Sequence, residues 1–123
     1  MKRVPPKEYQ RIKEVEDLVL GFKKENVKTY VIAAGVLYGY GETVFQNHFK
    51  SAWLQKPKML PYFGEGTNKV PTIHVKDLVT LVQKLFETKP EVPYVFAIDN
   101  SKNREQIHLV ETISKGLGTG KIK

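Results

Sequence analysis

A chain of 123 residues with 41% hydrophobic and 27% charged residues has the size and composition of one globular domain. It contains no apolar run of about 20 residues, no leader peptide and no cysteine, so we expect a cytoplasmic protein without a membrane span, disulfides or thiol chemistry. The formal charge of +7 would attract acidic partners, but acidic residues are interleaved with the basic ones. Because no basic block is combined with stacking aromatics, we expect protein partners and no nucleic-acid binding.

The first half of the chain predicts a helix, a strand and a second helix. Residues 6–25 carry apolar side chains at helical spacing, and the apolar run at residues 29–37 is typical of a strand buried on both faces of a parallel sheet. A glycine-marked turn at residues 38–41 leads into a helix over residues 44–54. Trp53 in this helix is expected to belong to the core.

The second half continues the alternation. Residues 58–75 hold two prolines and a pair of glycines, which favours short extended pieces in a small hairpin region. Residues 75–86 predict a helix, residues 94–98 a strand and residues 107–116 a last helix. We expect residues 116–123 to form a linker toward a following domain.

This order of elements predicts an α/β fold for residues 1–123 as a single unit, with parallel strands covered by helices. Two strands make a small sheet, and their apolar character implies neighbours on both sides. We therefore expect the sheet to be completed by polypeptide outside this chain.

Tyr9 and Lys13 form a Tyr-x-x-x-Lys spacing in the first helix, so their side chains project from one face. A phenol with a pKa of about 10 is a poor base at neutral pH, and a cation one helical turn away stabilises the phenolate. The pair would therefore suit general acid–base catalysis. The alternative is a tyrosine on a helix face beside a solvated lysine, and the spacing alone does not separate the two.

Three later segments follow this pair in a characteristic order. They are Val-Leu-Tyr-Gly at residues 36–39, Phe-Gly-Glu-Gly at residues 63–66 and Ile-His-Val-Lys-Asp-Leu at residues 73–78. Together with Tyr9 and Lys13, they resemble the C-terminal half of an extended short-chain dehydrogenase of the NAD-dependent epimerase/dehydratase family. The resemblance covers nearly the whole chain and implies a partial Rossmann-like fold. It implies that Tyr9 is the acid/base and that Lys13 binds the nicotinamide ribose, with Ala34 and Tyr38 as further cofactor-binding candidates.

Several residues that hold ligands in that family are replaced here. Where the family has Arg-Pro-x-Asn-Val-Tyr-Gly, residues 33–39 are Ala-Ala-Gly-Val-Leu-Tyr-Gly. The family arginine three residues before Ile-His-Val corresponds to Val70, with Lys69 the nearest cation. The resemblance thus implies a retained framework without its usual substrate contacts, and NAD(P) binding only if an intact upstream half is present.

A closer resemblance is carried by a longer set of segments. They are Thr-Tyr-Val-Ile-Ala-Ala-Gly at residues 29–35, Ala-Trp-Leu at 52–54, Gly-Glu-Gly-Thr-Asn at 64–68, Pro-Thr-Ile-His-Val at 71–75, and the ending Ile-Ser-Lys at 113–115 with Gly-Lys-Ile at 120–122. They resemble the dehydrogenase-like region that precedes the kinase domain in the adenylate kinase seven family of ciliary axoneme proteins. This implies a non-catalytic docking scaffold with axonemal protein partners. The substrate half of an active NAD(P)-dependent epimerase or reductase, with Tyr9 as acid/base and Lys13 as its partner, stays open as the alternative.

Two other patterns do not predict sites. His48, His74 and His108 show no metal-ligand spacing, so no metal is expected, and the resemblance makes His74 a structural residue before a helix. The glycines of residues 116–121 imitate a phosphate-binding loop, but Lys115 stands where glycine is needed and Ile122 where a hydroxyl is needed.

Overall fold

The computed structural model describes residues 4–102 and 105–123 as a mixed arrangement of helices and parallel strands. A 3-10 turn at Lys7–Tyr9 comes first. It is followed by α1 Gln10–Gly21, β1 Val31–Ala34, β2 Val36–Tyr38, α2 Gln46–Leu54, β3 Thr72–His74, α3 Val75–Thr88, β4 Tyr94–Ala97 and α4 Gln106–Leu117. The predicted α/β alternation with parallel strands is confirmed. None of the helices within the described residues has the length and hydrophobicity needed to cross a membrane.

The apolar run predicted as one strand forms two strands with different partners. β1 pairs in parallel with β4, and β2 pairs in parallel with β3. The change occurs at Gly35, whose amide donates to the Ala97 carbonyl at 2.9 Å, while the Val36 amide donates to the Pro71 carbonyl at 2.7 Å. A Cβ atom at Gly35 would lie 2.6 Å from the Pro71 carbonyl oxygen, so this close approach requires glycine.

The hairpin predicted within residues 58–75 is not formed. Its last extended piece, β3, pairs with β2 rather than with the residues just before it. Leu60 instead forms a parallel bridge with Ile122, and Lys69 forms an antiparallel bridge with Glu105. The prediction was wrong because prolines and glycines mark turns but do not reveal that the pairing partners are distant in sequence.

The first helix is shorter than predicted, and its apolar stripe is exposed. The expected helix over residues 6–25 is the 3-10 turn followed by α1, after which Phe22 adopts an extended backbone. No residue of α1 is buried, and the side chain of Leu18 is 75% exposed. The described residues therefore leave this stripe largely uncovered.

The buried core lies between α2 and α4. Ser114 is buried there and donates its hydroxyl to the Lys121 carbonyl at 2.9 Å. Phe45, just before α2, is also buried, whereas Trp53 is exposed, contrary to the expectation for that residue. The hydrophobic cluster of this core consists of Ala52, Leu60, Val110 and Ile113, with Tyr62, Leu109 and Ile122 packed against it.

The final residues close this core. The Leu60 amide donates to the Lys121 carbonyl at 3.2 Å, and the Lys123 amide donates to the Leu60 carbonyl at 2.9 Å. Residues 116–123 are therefore anchored to the rest of the structure. Their role as a linker toward a following domain stays a prediction.

We expect the Leu60→Ala substitution to lower the free energy of unfolding by about 2–5 kcal/mol, because truncating a buried leucine leaves a cavity. Leu60 is 2% exposed, whereas Leu54 is half exposed and provides the matched control. Leu54→Ala should change the free energy of unfolding by no more than about 0.5 kcal/mol. Urea denaturation followed by circular dichroism measures both, and equal losses would show that Leu60 does not belong to the core.

Candidate functional site

Tyr9 and Lys13 lie at the start of α1, and each is engaged differently. Tyr9 ends the 3-10 turn, occupies the N-cap position of α1 and is exposed. The Lys13 ammonium forms an ion pair with the Asp17 carboxylate one turn further along the same helix. Within residues 4–102 and 105–123, no hydrogen bond or ring contact joins Tyr9 to Lys13. The cation is thus compensated by a carboxylate of its own helix, while the phenol faces solvent.

An apolar groove of about 620 Å³ lies beside this pair, between α1 and the start of β1. Neither Tyr9 nor Lys13 lines it. Four of its eight lining residues are aliphatic, and three are charged. The lining residues are Glu8, Arg11, Ile12, Val15, Glu16, Val19, Tyr30 and Val31.

A second group of side chains lies where β2 and β3 end. Tyr38 and His74 are opposite one another in the strand register, and their rings meet edge to face with centroids 5.1 Å apart. The Tyr40 ring lies 6.1 Å from the His74 ring, and the Lys76 ammonium lies 4.9 Å from the centre of the Tyr40 ring. The carboxyl ends of parallel strands are the usual place for ligands in open α/β sheets. This group, the strand-end cluster, is therefore the position where a ligand site would be expected.

Asp99 joins the strand-end cluster just beyond β4. Its amide donates to the Thr72 carbonyl at 2.6 Å, and its carboxylate accepts a hydrogen bond from the Thr72 hydroxyl at 2.8 Å. Burial, and then the nearby Asp99 carboxylate, raises the pKa of the Tyr38 phenol. Tyr38 therefore remains protonated at neutral pH and is unsuited to act as a base. Sequence reasoning did not single out Asp99, although an acidic residue directly after a strand was the available signal.

His74 has a structural role, as expected. Its Nδ1 atom accepts a hydrogen bond from the Lys76 amide at 3.1 Å and thereby caps α3. Gly39 provides the space for the ring, because it has a φ of +90° and a Cβ atom there would lie 2.3 Å from Nε2 of His74. No group of three or more histidines and carboxylates that could hold a metal occurs among the residues that the structure describes.

The predicted site residues fall at three separate places. Tyr9 and Lys13 are at the start of α1, and Tyr38 is in the strand-end cluster. Ala34 is exposed at the end of β1 and provides no polar side chain. No hydrogen bond or ring contact connects Lys13 with Ala34 or Tyr38 in the described part of the chain.

The chain is similar to segments of two curated proteins. It is 42% identical over 110 residues to adenylate kinase 7 of Macaca fascicularis, which covers 88% of this chain and 20% of that protein. It is 41% identical over 110 residues to adenylate kinase 7 of Mus musculus, covering 88% of this chain and 18% of that protein. No protein-family model matches the chain.

Homology to a segment of adenylate kinase 7 is therefore established, and the chain spans about a fifth of the length of these relatives. This supports the family link inferred from residues 29–35, 52–54, 64–68, 71–75, 113–115 and 120–122. That the matched segment is dehydrogenase-like stays a prediction.

We expect Gly39→Ala to lower the free energy of unfolding by at least about 2 kcal/mol, because it combines an unfavourable positive φ with a clash against the His74 ring. Gly41→Ala is the matched control. Gly41 also has a positive φ, of +78°, but a Cβ atom there meets nothing within 4 Å. Its loss should be about 1 kcal/mol. Urea unfolding measures the difference, and equal losses would contradict the close seating of His74 on Gly39.

Proposed function

We propose that this chain is a non-catalytic, dehydrogenase-like unit that serves as a docking scaffold in an adenylate kinase 7-like protein. The observation that carries the proposal is the ion pair between Lys13 and Asp17. A tyrosine acid/base needs a cation that stabilises its phenolate and a cofactor held against it. Here the candidate cation is compensated by a carboxylate within its own helix.

The surroundings of Tyr9 also favour a role without catalysis. Its side chain is exposed and does not line the neighbouring groove. Residues 33–39 provide small and apolar side chains where the dehydrogenase family has arginine, proline and asparagine. These features remove the polar contacts that would orient a nicotinamide and a substrate.

The strand-end cluster supports a scaffold for a different reason. The Thr72–Asp99 hydrogen bonds tie the end of β4 to β3, and the capping contact of His74 ties β3 to α3. The pKa of Tyr38 is raised, which removes its phenol as a base. The polar residues therefore hold the ends of the strands in position.

The wider role follows from the resemblance and is also proposed. We expect axonemal proteins as partners and the ciliary axoneme as the location. Phosphoryl transfer, which the relatives' name indicates, would be carried out by polypeptide outside this chain, because Lys115 and Ile122 interrupt the phosphate-loop pattern. NAD(P) would bind only together with an intact upstream cofactor-binding half.

The proposal predicts no saturable NADH binding at concentrations up to about 1 mM, a threshold that corresponds to about 4 kcal/mol of binding free energy. The reason is the lack of polar contacts around Tyr9. Titration of the full-length protein, in which any upstream cofactor-binding half would be present, is monitored by NADH fluorescence and measures the affinity. Tyr9→Phe should leave the titration unchanged.

The opposite result would favour the active epimerase or reductase. In that case NAD(H) would bind tightly, turnover would be detectable, and Tyr9→Phe would reduce it by about 100-fold or more while the protein remained folded. Asp17→Asn provides a further control, because it frees Lys13 without removing it. If the ion pair alone suppresses activity, the Asp17→Asn variant will bind the cofactor and show turnover. The double variant Asp17→Asn, Tyr9→Phe will then bind the cofactor without turnover.

A further inference from the structure

Large apolar side chains are exposed on α2. Trp53 is 74% exposed, Leu54 51% and Phe49 40%. Phe49 and Trp53 are one helical turn apart, so their rings project from the same side of the helix. The opposite side of α2 packs in the core, because Ala52 belongs to the buried cluster shared with α4. The exposed rings are therefore not needed for the core of the chain.

The charge carried by the polypeptide around these rings has one sign. Residues 43–60 contain three lysines and no acidic residue, and residues 112–123 also contain three lysines and no acidic residue. All six lysines are exposed, and they are Lys50, Lys56, Lys58, Lys115, Lys121 and Lys123. The formal net charge of the whole chain is +7, so these two stretches account for nearly all of it.

The fold brings the two stretches together just beyond α2. The Thr119 hydroxyl donates to the Lys58 carbonyl at 2.6 Å. The Leu60 amide donates to the Lys121 carbonyl at 3.2 Å. The positive charge of both stretches is therefore collected next to the end of α2, and Trp53 lies in the last turn of that helix.

Most of these lysines have no carboxylate of their own. Lys115 pairs with Glu111 at 2.7 Å, whereas the other five form no ion pair with another residue of 4–102 or 105–123. α1 and α3 also expose apolar side chains, but each of them carries an internal ion pair. Among the α-helices in the described part of the chain, α2 is the one without an acidic residue. Its positive charge is thus available to carboxylates of another molecule.

Aromatic side chains bordered by unpaired lysines fit an acidic protein segment best. Tryptophan is enriched among the residues that dominate binding at protein interfaces, where an apolar centre is surrounded by a polar rim. An anionic membrane fits less well, because an interfacial helix buries its apolar face in lipid, whereas Ala52 turns that face of α2 into the core. Single-stranded nucleic acid is bound in a basic groove, but the exposed side of a helix is convex.

We propose that α2 docks an acidic protein segment that also carries at least one large apolar side chain. The apolar side chain packs against the exposed rings, and the carboxylates face the lysines. The docking surface, called the α2 surface, consists of Phe49, Lys50, Trp53, Leu54, Lys56 and Lys58. This inference rests on the docking role proposed above and adds the location of the contact and the chemistry of the partner.

A short fluorescently labelled peptide of glutamate and leucine provides the probe, and anisotropy measures its binding to the full-length protein. Binding should saturate below about 1 mM and weaken as salt is added, because salt screens charges on an exposed surface. The same peptide with glutamine in place of glutamate should bind at least about tenfold more weakly. Absence of saturable binding, or equal binding of the two peptides, would overturn the proposal.

The double substitution Lys50→Glu, Lys56→Glu reverses two charges of the α2 surface and should weaken binding of the glutamate peptide by at least about tenfold. Lys23→Glu, Lys24→Glu is the matched control, because it changes the net charge equally at exposed lysines outside the α2 surface. Its effect should stay below about threefold, since screening limits the reach of distant charges. Equal losses would show that the peptide responds to net charge alone, which contradicts a local site.

Circular dichroism establishes whether each variant is folded. If Lys50→Glu, Lys56→Glu is unfolded, Lys50→Gln, Lys56→Gln takes its place, because it removes the two charges without adding carboxylates at the end of a helix. This neutral variant should also weaken binding of the glutamate peptide. Unchanged affinity in a folded neutral variant would overturn the proposal.

The apolar part of the α2 surface is tested by Trp53→Ala, which should weaken binding by at least about tenfold because it removes the largest exposed ring. Phe86→Ala is the matched control, since Phe86 is 75% exposed but lies on α3. It should leave the affinity nearly unchanged. Equal losses from the two substitutions would contradict docking at Trp53.

Tryptophan emission shows directly what covers Trp53. The part of the emission that is lost in Trp53→Phe belongs to this residue, and it should shift to shorter wavelength when the glutamate peptide binds. Phosphatidylserine vesicles and single-stranded DNA serve as competing probes. A shift with either of these, together with no shift with the peptide, would overturn the proposal in favour of a lipid surface or a nucleic acid.

The α2 surface and the non-catalytic role can fail separately. NAD(H) turnover together with peptide binding that depends on Trp53 would refute the non-catalytic role and support the α2 surface. Absence of both turnover and peptide binding would refute the α2 surface alone.

Discussion

The approach of Gly35 to Pro71 is the contact on which the arrangement of strands depends. Because of this contact, the continuous segment β1–Gly35–β2 pairs with β4 through its first half and with β3 through its second half. The change of partner takes place within two residues. A side chain at this position would separate the segment from the Pro71 carbonyl. The hydrogen bonds between Thr72 and Asp99 then tie β3 back to the end of β4, which closes the connection among the strands.

The sequence was informative where structure depends on local spacing. The helices α2, α3 and α4 and the strand β4 were predicted close to their observed positions, because the spacing of apolar residues is a local property of the sequence. The division of the apolar run into β1 and β2 at Gly35 was not predicted, because a run of apolar residues does not indicate which strands it will pair with. The hairpin was wrongly predicted for the same reason: β3 finds its partner more than 30 residues earlier, at β2.

The candidate site residues also divide into those that local spacing predicts and those that only the fold brings together. Tyr9 and Lys13 could be found from their spacing, because one helical turn separates them, and the strand-end position of Tyr38 followed from the glycine turn after it. The ion pair between Lys13 and Asp17 also joins neighbours in sequence. The spacing alone, however, does not predict whether an exposed lysine will pair with a carboxylate of its own helix. Asp99 and Thr72 are far apart in sequence, so their contact required the fold. Exposure of the apolar stripe on α1 depends on what covers it, which periodicity cannot indicate.

The pairing of residues 60–62 with residues 121–123 has a consequence for the order of folding. Leu60 lies in the middle of the chain, yet its backbone partners are Lys121 and Lys123, and Ile122 packs against the same core. During synthesis, the region around α2 must therefore wait until these later residues have emerged from the ribosome. Until then, the apolar side chains between α2 and α4 lack their final neighbours. During this interval, chaperone binding or misassembly competes with native folding.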